Sequence, residues 1–296
     1  MTRDDREEQR AFLALLLASP GRWTALAERV EEVGSAVDVL ERDASQPDLW
    51  GSGSGSAERL CEAERLLDQW SRQGVGFASV VAVDYPAQLL TIHQRPPFVM
   101  WMGTRAPRDA RGVAVVGTRN PSAEGLARAG NLARELAERG VTVISGLAAG
   151  IDTAAHTGAL AGGGRTVAVI GTGLARSYPS QNAGLQRRIA EEGLVLSQFL
   201  PDAPPTRQSF PMRNAVMSGY AAATVVIEAG WKSGARMQAR LALEHGRPVF
   251  LLRSLLQHDW ARDYAARPGA YVVETVDDVL ELLEVTLPAE GELTWA

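Results

Sequence analysis

Lysine is almost missing from this chain: of 30 basic residues, Lys232 is the single lysine and the other 29 are arginine. Cysteine is as scarce. A lone Cys61 excludes an internal disulfide and points to a reducing compartment. No apolar run reaches the roughly 18 residues of a membrane span, so no membrane partner is expected. The first ten residues, dense in Asp, Glu and Arg, lack a basic-then-apolar leader pattern, and a cytoplasmic location is the expectation. Neither G-x-x-x-x-G-K-[ST] nor G-x-G-x-x-G occurs, which argues against P-loop ATP hydrolysis and against NAD. No cofactor is expected.

What is present suits a globular chain of one large domain or two smaller ones: 296 residues, 46% hydrophobic and 22% charged. The net charge of −5 is unevenly spread. Residues 1–50 carry −5, residues 119–240 carry +5, and residues 241–296 carry −6. A basic middle between acidic ends suits an anionic ligand held centrally.

The chain divides into zones. Residues 1–50 read as a separable helical module, with Pro20-Gly21 breaking the first helix. Residues 51–83 hold a Gly/Ser run, Gly51 to Ser56, and a helix from about Ala57 to Gln73. Residues 84–285 form the main domain, and 286–296 a tail. Strands are expected at 112–117, 141–145, 166–170, 194–197, 224–228, 248–252 and 271–273. Helices alternate with them at 121–139, 152–161, 181–191, 211–221, 234–245 and 276–283. Strands apolar on both faces, alternating with helices, predict an α/β Rossmann-like parallel sheet with helices on both faces, preceded by a small helical N-terminal region. Ligands of such sheets bind where the strand C-termini end.

The turns at that edge carry the chemistry. In the first, Gly117-Thr118-Arg119-Asn120-Pro121, Asn120 suits an N-cap and the free helix N-terminus attracts phosphate, with Arg119 adding a bidentate fork. In the second, Gly146 and Gly150 let backbone approach a ligand, and Asp152 and His156 stand one helical turn apart. That spacing fits metal, but no third ligand is evident, and no metal is expected. The third, around Gly173, adds Arg176 and Tyr178. The next connection pairs Arg207 and Arg213 with Phe210, followed by Asn214. Arg for phosphates and a ring for a base are ingredients of single-strand binding, though Phe210 equally fits a core staple. Lys232-Ser233-Gly234 closes the edge.

Taken in order, these motifs resemble the DNA-processing protein A (DprA/Smf) family: Gly117-Thr118-Arg119-Asn120, Ser145 to Asp152 with Ala155-His156, and Gly171 to Leu174 with Tyr178-Pro179 and Asn182. Phe210-Pro211-Met212-Arg213-Asn214, Glu228-Ala229, Ser233-Gly234 and Ala239 to Arg247 complete it. The match runs over about 84–252. The resemblance implies a protein that binds single-stranded DNA, forms a homodimer and helps load RecA in transformation or recombination. From the residues, no Ser-His-Asp order is tied to a nucleophile elbow and Cys61 lies in the helical zone, so no enzyme is expected. It assigns Arg119 to backbone phosphate and Arg207 and Phe210 to the DNA pocket, with Arg213 and Asn214 at the end of that motif.

The departures from the family are specific. Ala149 and Ala215 stand where the family commonly has Arg, and Arg253 to Arg267 replaces a Pro-Gly and Gly-rich segment. Two rivals follow: a nucleotide-sensing module using the same edge, and a phosphoribohydrolase-like enzyme. The second lacks its P-G-G-x-G-T-x-x-E turn here, where the chain reads Ala229-Gly230-Trp231-Lys232-Ser233-Gly234. Glu228, at a strand end, is left to pair with Arg213 or to cap backbone N–H groups.

Overall fold

The computed structural model describes residues 3–45 and 55–286. The tail from 287 onward and most of the Gly/Ser run lie outside them. The described residues form two compact units, one drawn from 3–45, 55–86 and 96–102, the other from 87–95 and 103–286.

The first unit gathers four helices, α1 (Arg3–Ala18), α2 (Trp23–Val33), α3 (Ala36–Ser45) and α4 (Ser56–Arg72), around an antiparallel pair, β1 (Val75–Ser79) and β2 (Phe98–Gly103). The helices before residue 46 are therefore not a module of their own. Arg6 of α1 reaches Glu64 and Asp68 of α4 at 2.9 and 2.5 Å, and Gln9 donates to the Phe77 carbonyl at 3.1 Å. Trp23 stands edge-on to Phe98, and Phe98 tilts against Phe77. The core of this unit needs α1 and α2, so the expected boundary at residue 50 falls inside it. Neither strand shows in the sequence pattern, and for β1 the reason lies across the pair. Gly76 has no side chain because the Trp101 ring of the neighbouring strand lies where its Cβ would be, 2.1 Å away.

The second unit matches the expected alternation. Its strands are β3 (Val113–Val116), β4 (Val143–Ser145), β5 (Thr166–Val169), β6 (Leu194–Ser197), β7 (Ala223–Val226), β8 (Val249–Leu252) and β9 (Ala270–Val273). All pair in parallel, in the order β6-β5-β4-β3-β7-β8-β9. The principal helices are α6 (Ala123–Glu138), α7 (Ile151–Ala161), α8 (Ala183–Glu192), α9 (Ser209–Tyr220), α10 (Gly234–Glu244) and α12 (Val276–Thr286). Short α5 (Ala87–Leu90) and α11 (Asp259–Ala265) fill in between. Strands β3 to β8 are buried along their whole length, as two-sided apolar runs require.

At the N-terminal ends of the strands, a buried ion pair ties the sheet together. Arg165, just before β5, donates from Nε and Nη2 to the two Asp109 oxygens at 2.6 and 2.8 Å. Asp109 also accepts from the Ala106 N–H, the Thr142 hydroxyl and the Tyr220 hydroxyl at 3.1, 3.2 and 3.4 Å. One carboxylate thus links the turn before β3, the starts of β4 and β5, and the end of α9.

Helices α6 and α7 cross backbone to backbone. A Cβ on Gly158 would lie 2.2 Å from the Gly130 carbonyl, whereas one on Gly130 would meet nothing nearer than 3.8 Å. Gly158→Ala is therefore expected to force the helices apart at a cost of about 1–3 kcal/mol. Gly130→Ala should be neutral or should gain up to about 1 kcal/mol of helix propensity. Urea midpoints of the two variants check this, and equal midpoints would contradict it.

Candidate functional site

The strand order reverses between β3 and β7, since β4 continues one way from β3 and β7 the other. At that switch point open α/β sheets leave a crevice, and a cavity of about 400 Å³ lies there. Gly117, Thr118 and Arg119 line it from the end of β3. Phe210, Arg213 and Asn214 line it from α9, and Lys232, Ser233 and Gly234 from the turn before α10. A smaller cavity of about 110 Å³ shares Arg119, Phe210 and Arg213 and adds Gly146, Ala149 and Tyr178. Asn120, Gly150, Gly173 and Arg207 line neither of these two cavities.

Phe210 stands between the two spaces. Its ring is half-buried rather than in the core, resting where a side chain on Gly171 would come within 2.9 Å. The Arg119 guanidinium lies 5.2 Å from the ring centroid, and the Tyr178 ring is tilted against it at 5.4 Å. A cation and two aromatic faces are thus brought together, with Arg119 and Tyr178 exposed. Tyr178 is the member the sequence reading did not select, although its place in the third turn was visible.

Arg213 behaves differently. It is buried, donating from Nη1 to the Gly146 and Val169 carbonyls and from Nε to Asn214 Oδ1 at 3.0 Å. A Cβ on Gly146 would lie 1.8 Å from that guanidinium, so this glycine makes room for Arg213. Asp152 is the buried counter-charge. Burial pushes its carboxyl above the ordinary carboxylate range, and the Arg213 charge opposes that shift. His156 is held down to about 3, by burial first and by the same Arg213 charge second, and its Nδ1 lies 2.7 Å from the Thr166 hydroxyl. Among the described residues, no three His, Cys, Asp or Glu side chains converge as metal ligands.

Several local expectations are corrected. Ser122, not Asn120, caps α6, its hydroxyl accepting the Gly125 N–H at 3.0 Å. Asn120 is exposed in the turn, its N–H donating to the Thr118 hydroxyl. The α6 N-terminus is not free for phosphate, because Glu228 accepts from the Ser122 N–H at 3.1 Å and from its hydroxyl at 2.7 Å. Of the two roles open to Glu228, capping is the one realised. Gly173 is buried against backbone, where a Cβ would meet the Leu200 carbonyl at 2.1 Å. Gly150 precedes α7 at φ +83°, a conformation that disfavours side chains. Arg207 is exposed on the segment leading into α9.

A parallel α/β domain with arginine, lysine and aromatic side chains gathered near its switch point carries them where folds of this class ordinarily bind ligands. A family model for DNA recombination-mediator protein A matches residues 77–284. The chain belongs to that family. Protein Smf of Synechocystis is 40% identical over 192 residues, which are 64% of this chain and 48% of that protein, so the chain spans about half of that relative. DNA processing protein DprA of Streptococcus pneumoniae is 37% identical over 219 residues, 72% of this chain and 77% of the relative. The solved structure of DprA from that organism superposes with a TM-score of 0.73 at 31% identity, covering 95% of this chain and 98% of its own. A Helicobacter pylori DprA structure, described for its single-stranded DNA binding mode, gives 0.63 at 27% identity, covering 71% and 97%. The family match reaches further at both ends than 84–252, from Phe77 within β1 to Glu284 within α12. Among the described residues no helix is long and apolar enough to cross a membrane.

Proposed function

We propose that this chain binds single-stranded DNA at the switch-point cavity, without catalysing a reaction on it, and acts in the cytoplasm as a homodimer that passes the strand to RecA. The observation that carries the DNA reading is the Arg119–Phe210–Tyr178 cluster, where Arg119 and Phe210 line both cavities and Tyr178 the smaller one: stacking faces for unpaired bases beside a cation for phosphate. Binding rather than catalysis is supported by the state of the acid–base groups. Asp152 and His156 are buried, and Glu228 is engaged at the α6 cap. The RecA and dimer elements rest on family resemblance, and RecA filament assembly on coated single strands, with and without the protein, tests them.

Arg119 and Phe210 contribute by different physics. Arg119→Ala should weaken oligo-dT binding evenly across base sequences and flatten the salt dependence by about one unit. Phe210→Ala should cost about 1–3 kcal/mol of stacking and leave the salt slope nearly unchanged. Salt titrations with melting curves separate the two effects. Equal or tighter binding to duplex would exclude the single-strand reading. A cavity of about 400 Å³ also suits a free mononucleotide, which would show a shallow salt slope instead.

A further inference from the structure

We infer that Trp231 is a second base-stacking platform, which extends the single-strand path beyond the Phe210 cavity; this rests on the DNA reading proposed above. Trp231 is 60% exposed, a large apolar ring left in water one residue before Lys232, which lines the cavity. The ring is not loose. The Arg236 guanidinium lies 3.9 Å from its centroid, and Arg236 Nη1 donates to the Trp231 carbonyl at 3.1 Å. One face of the indole is therefore covered by a cation that also holds its backbone, while the other face is left to solvent.

The support continues inward. Arg236 also lies over the buried Tyr264 ring at 5.9 Å, and Arg267 covers Tyr264 at 4.2 Å. Trp260 packs edge-on to Tyr264 and donates its indole N–H to the Ala229 carbonyl at 3.2 Å, two residues before Trp231. Trp260, Tyr264 and Arg267 all belong to the Arg253–Arg267 stretch where the sequence departs from the family pattern. That departure thus builds a brace beneath the loop that presents Trp231.

The ligand chemistry follows. An indole fixed on one face and open on the other, next to Lys232 and near the Ser233-capped start of α10, suits a nucleobase whose phosphate lies beside the ring. Because every base has a π-face, the platform is tolerant of sequence. A flat ring held in advance loses little conformational freedom on stacking.

The test compares the unaltered chain, Trp231→Ala and Trp231→Phe for binding to long oligo-dT and to a thymidine dinucleotide, with melting curves and sedimentation. The inference expects Trp231→Ala to bind long oligo-dT about 5- to 150-fold more weakly, with the salt slope and melting temperature unchanged. Trp231→Phe should recover most of that loss, and dinucleotide binding should be unaffected. Unaltered oligo-dT affinity in Trp231→Ala would overturn the platform while leaving the cavity reading intact. Loss for the dinucleotide as well would assign Trp231 to the cavity itself and overturn a separate platform. A shift from dimer to monomer in Trp231→Ala would make the ring a contact between copies and also overturn it. No oligonucleotide binding by the unaltered chain would reject the DNA reading and this inference together.

Discussion

Arg213→Ala is expected to lose about 3–5 kcal/mol of folding stability, and to lose it unevenly with pH. The substitution removes the buried counter-charge of Asp152 and strips donors from the Gly146 and Val169 carbonyls. Burial already raises the Asp152 carboxyl above its unfolded value, so the folded state holds its proton more tightly than the unfolded state. Stability from this group is therefore fully present below the unfolded value and falls as pH rises through the folded one. Without Arg213 the opposing attraction is gone, the folded value climbs further, and the window of loss widens towards neutrality. Thermal unfolding should thus show a larger deficit for the variant at pH 8 than at pH 5. A deficit independent of pH would mean that Asp152 and Arg213 are not coupled. Arg119→Ala, whose side chain is exposed, should keep its melting temperature at both.

Asp109→Ala should cost a similar amount, about 3–5 kcal/mol, by leaving Arg165 charged and buried without its partner. The variant also orphans the Thr142 and Tyr220 hydroxyls and the Ala106 N–H. Because this network lies at the strand N-termini, away from the cavity-bearing edge, ligand affinity of the folded fraction should be unchanged. Urea unfolding with an unchanged m-value and a lower midpoint is the expected signature. Replacing Asp109 and Arg165 together by apolar residues should restore much of the loss, since the damage comes from an unpaired charge more than from a missing attraction. A single-variant loss below about 1 kcal/mol would show the pair to be dispensable.

The parallel sheet was legible because its strands are short Val-, Ile- and Ala-rich runs between amphipathic helices, and each expected strand of β3 to β9 lies within two residues of its observed limits. The β1–β2 pair was not. Gly76 breaks its pattern for a reason held by Trp101, a residue 25 positions away. The site divided in the same way. Arg119 and Arg213 looked alike in sequence, both beside turn residues in basic stretches. Only the order of the strands, which places the Gly146 carbonyl and Asp152 around Arg213, separates a surface cation from an interior one. The cap of α6 was misplaced by two residues because Asn120 and Ser122 both suit an N-cap. The choice was made by Glu228, more than a hundred residues along the chain. The switch point itself cannot be read from a linear pattern, because alternation of strands and helices is compatible with several orders.

Glu228 has a wider consequence. Its carboxylate occupies the α6 N-terminus, the spot where a Rossmann fold ordinarily seats a phosphate against helix N–H groups, so the protein fills that seat with a charge of its own. A polyanion bound at this edge as proposed would find that seat already taken. Arg119, Arg207 and Lys232, exposed and long, are left to meet its charge. Such cations follow a phosphate wherever it lies and do not index it to one register. A strand bound as proposed would creep by a nucleotide without breaking a fixed contact.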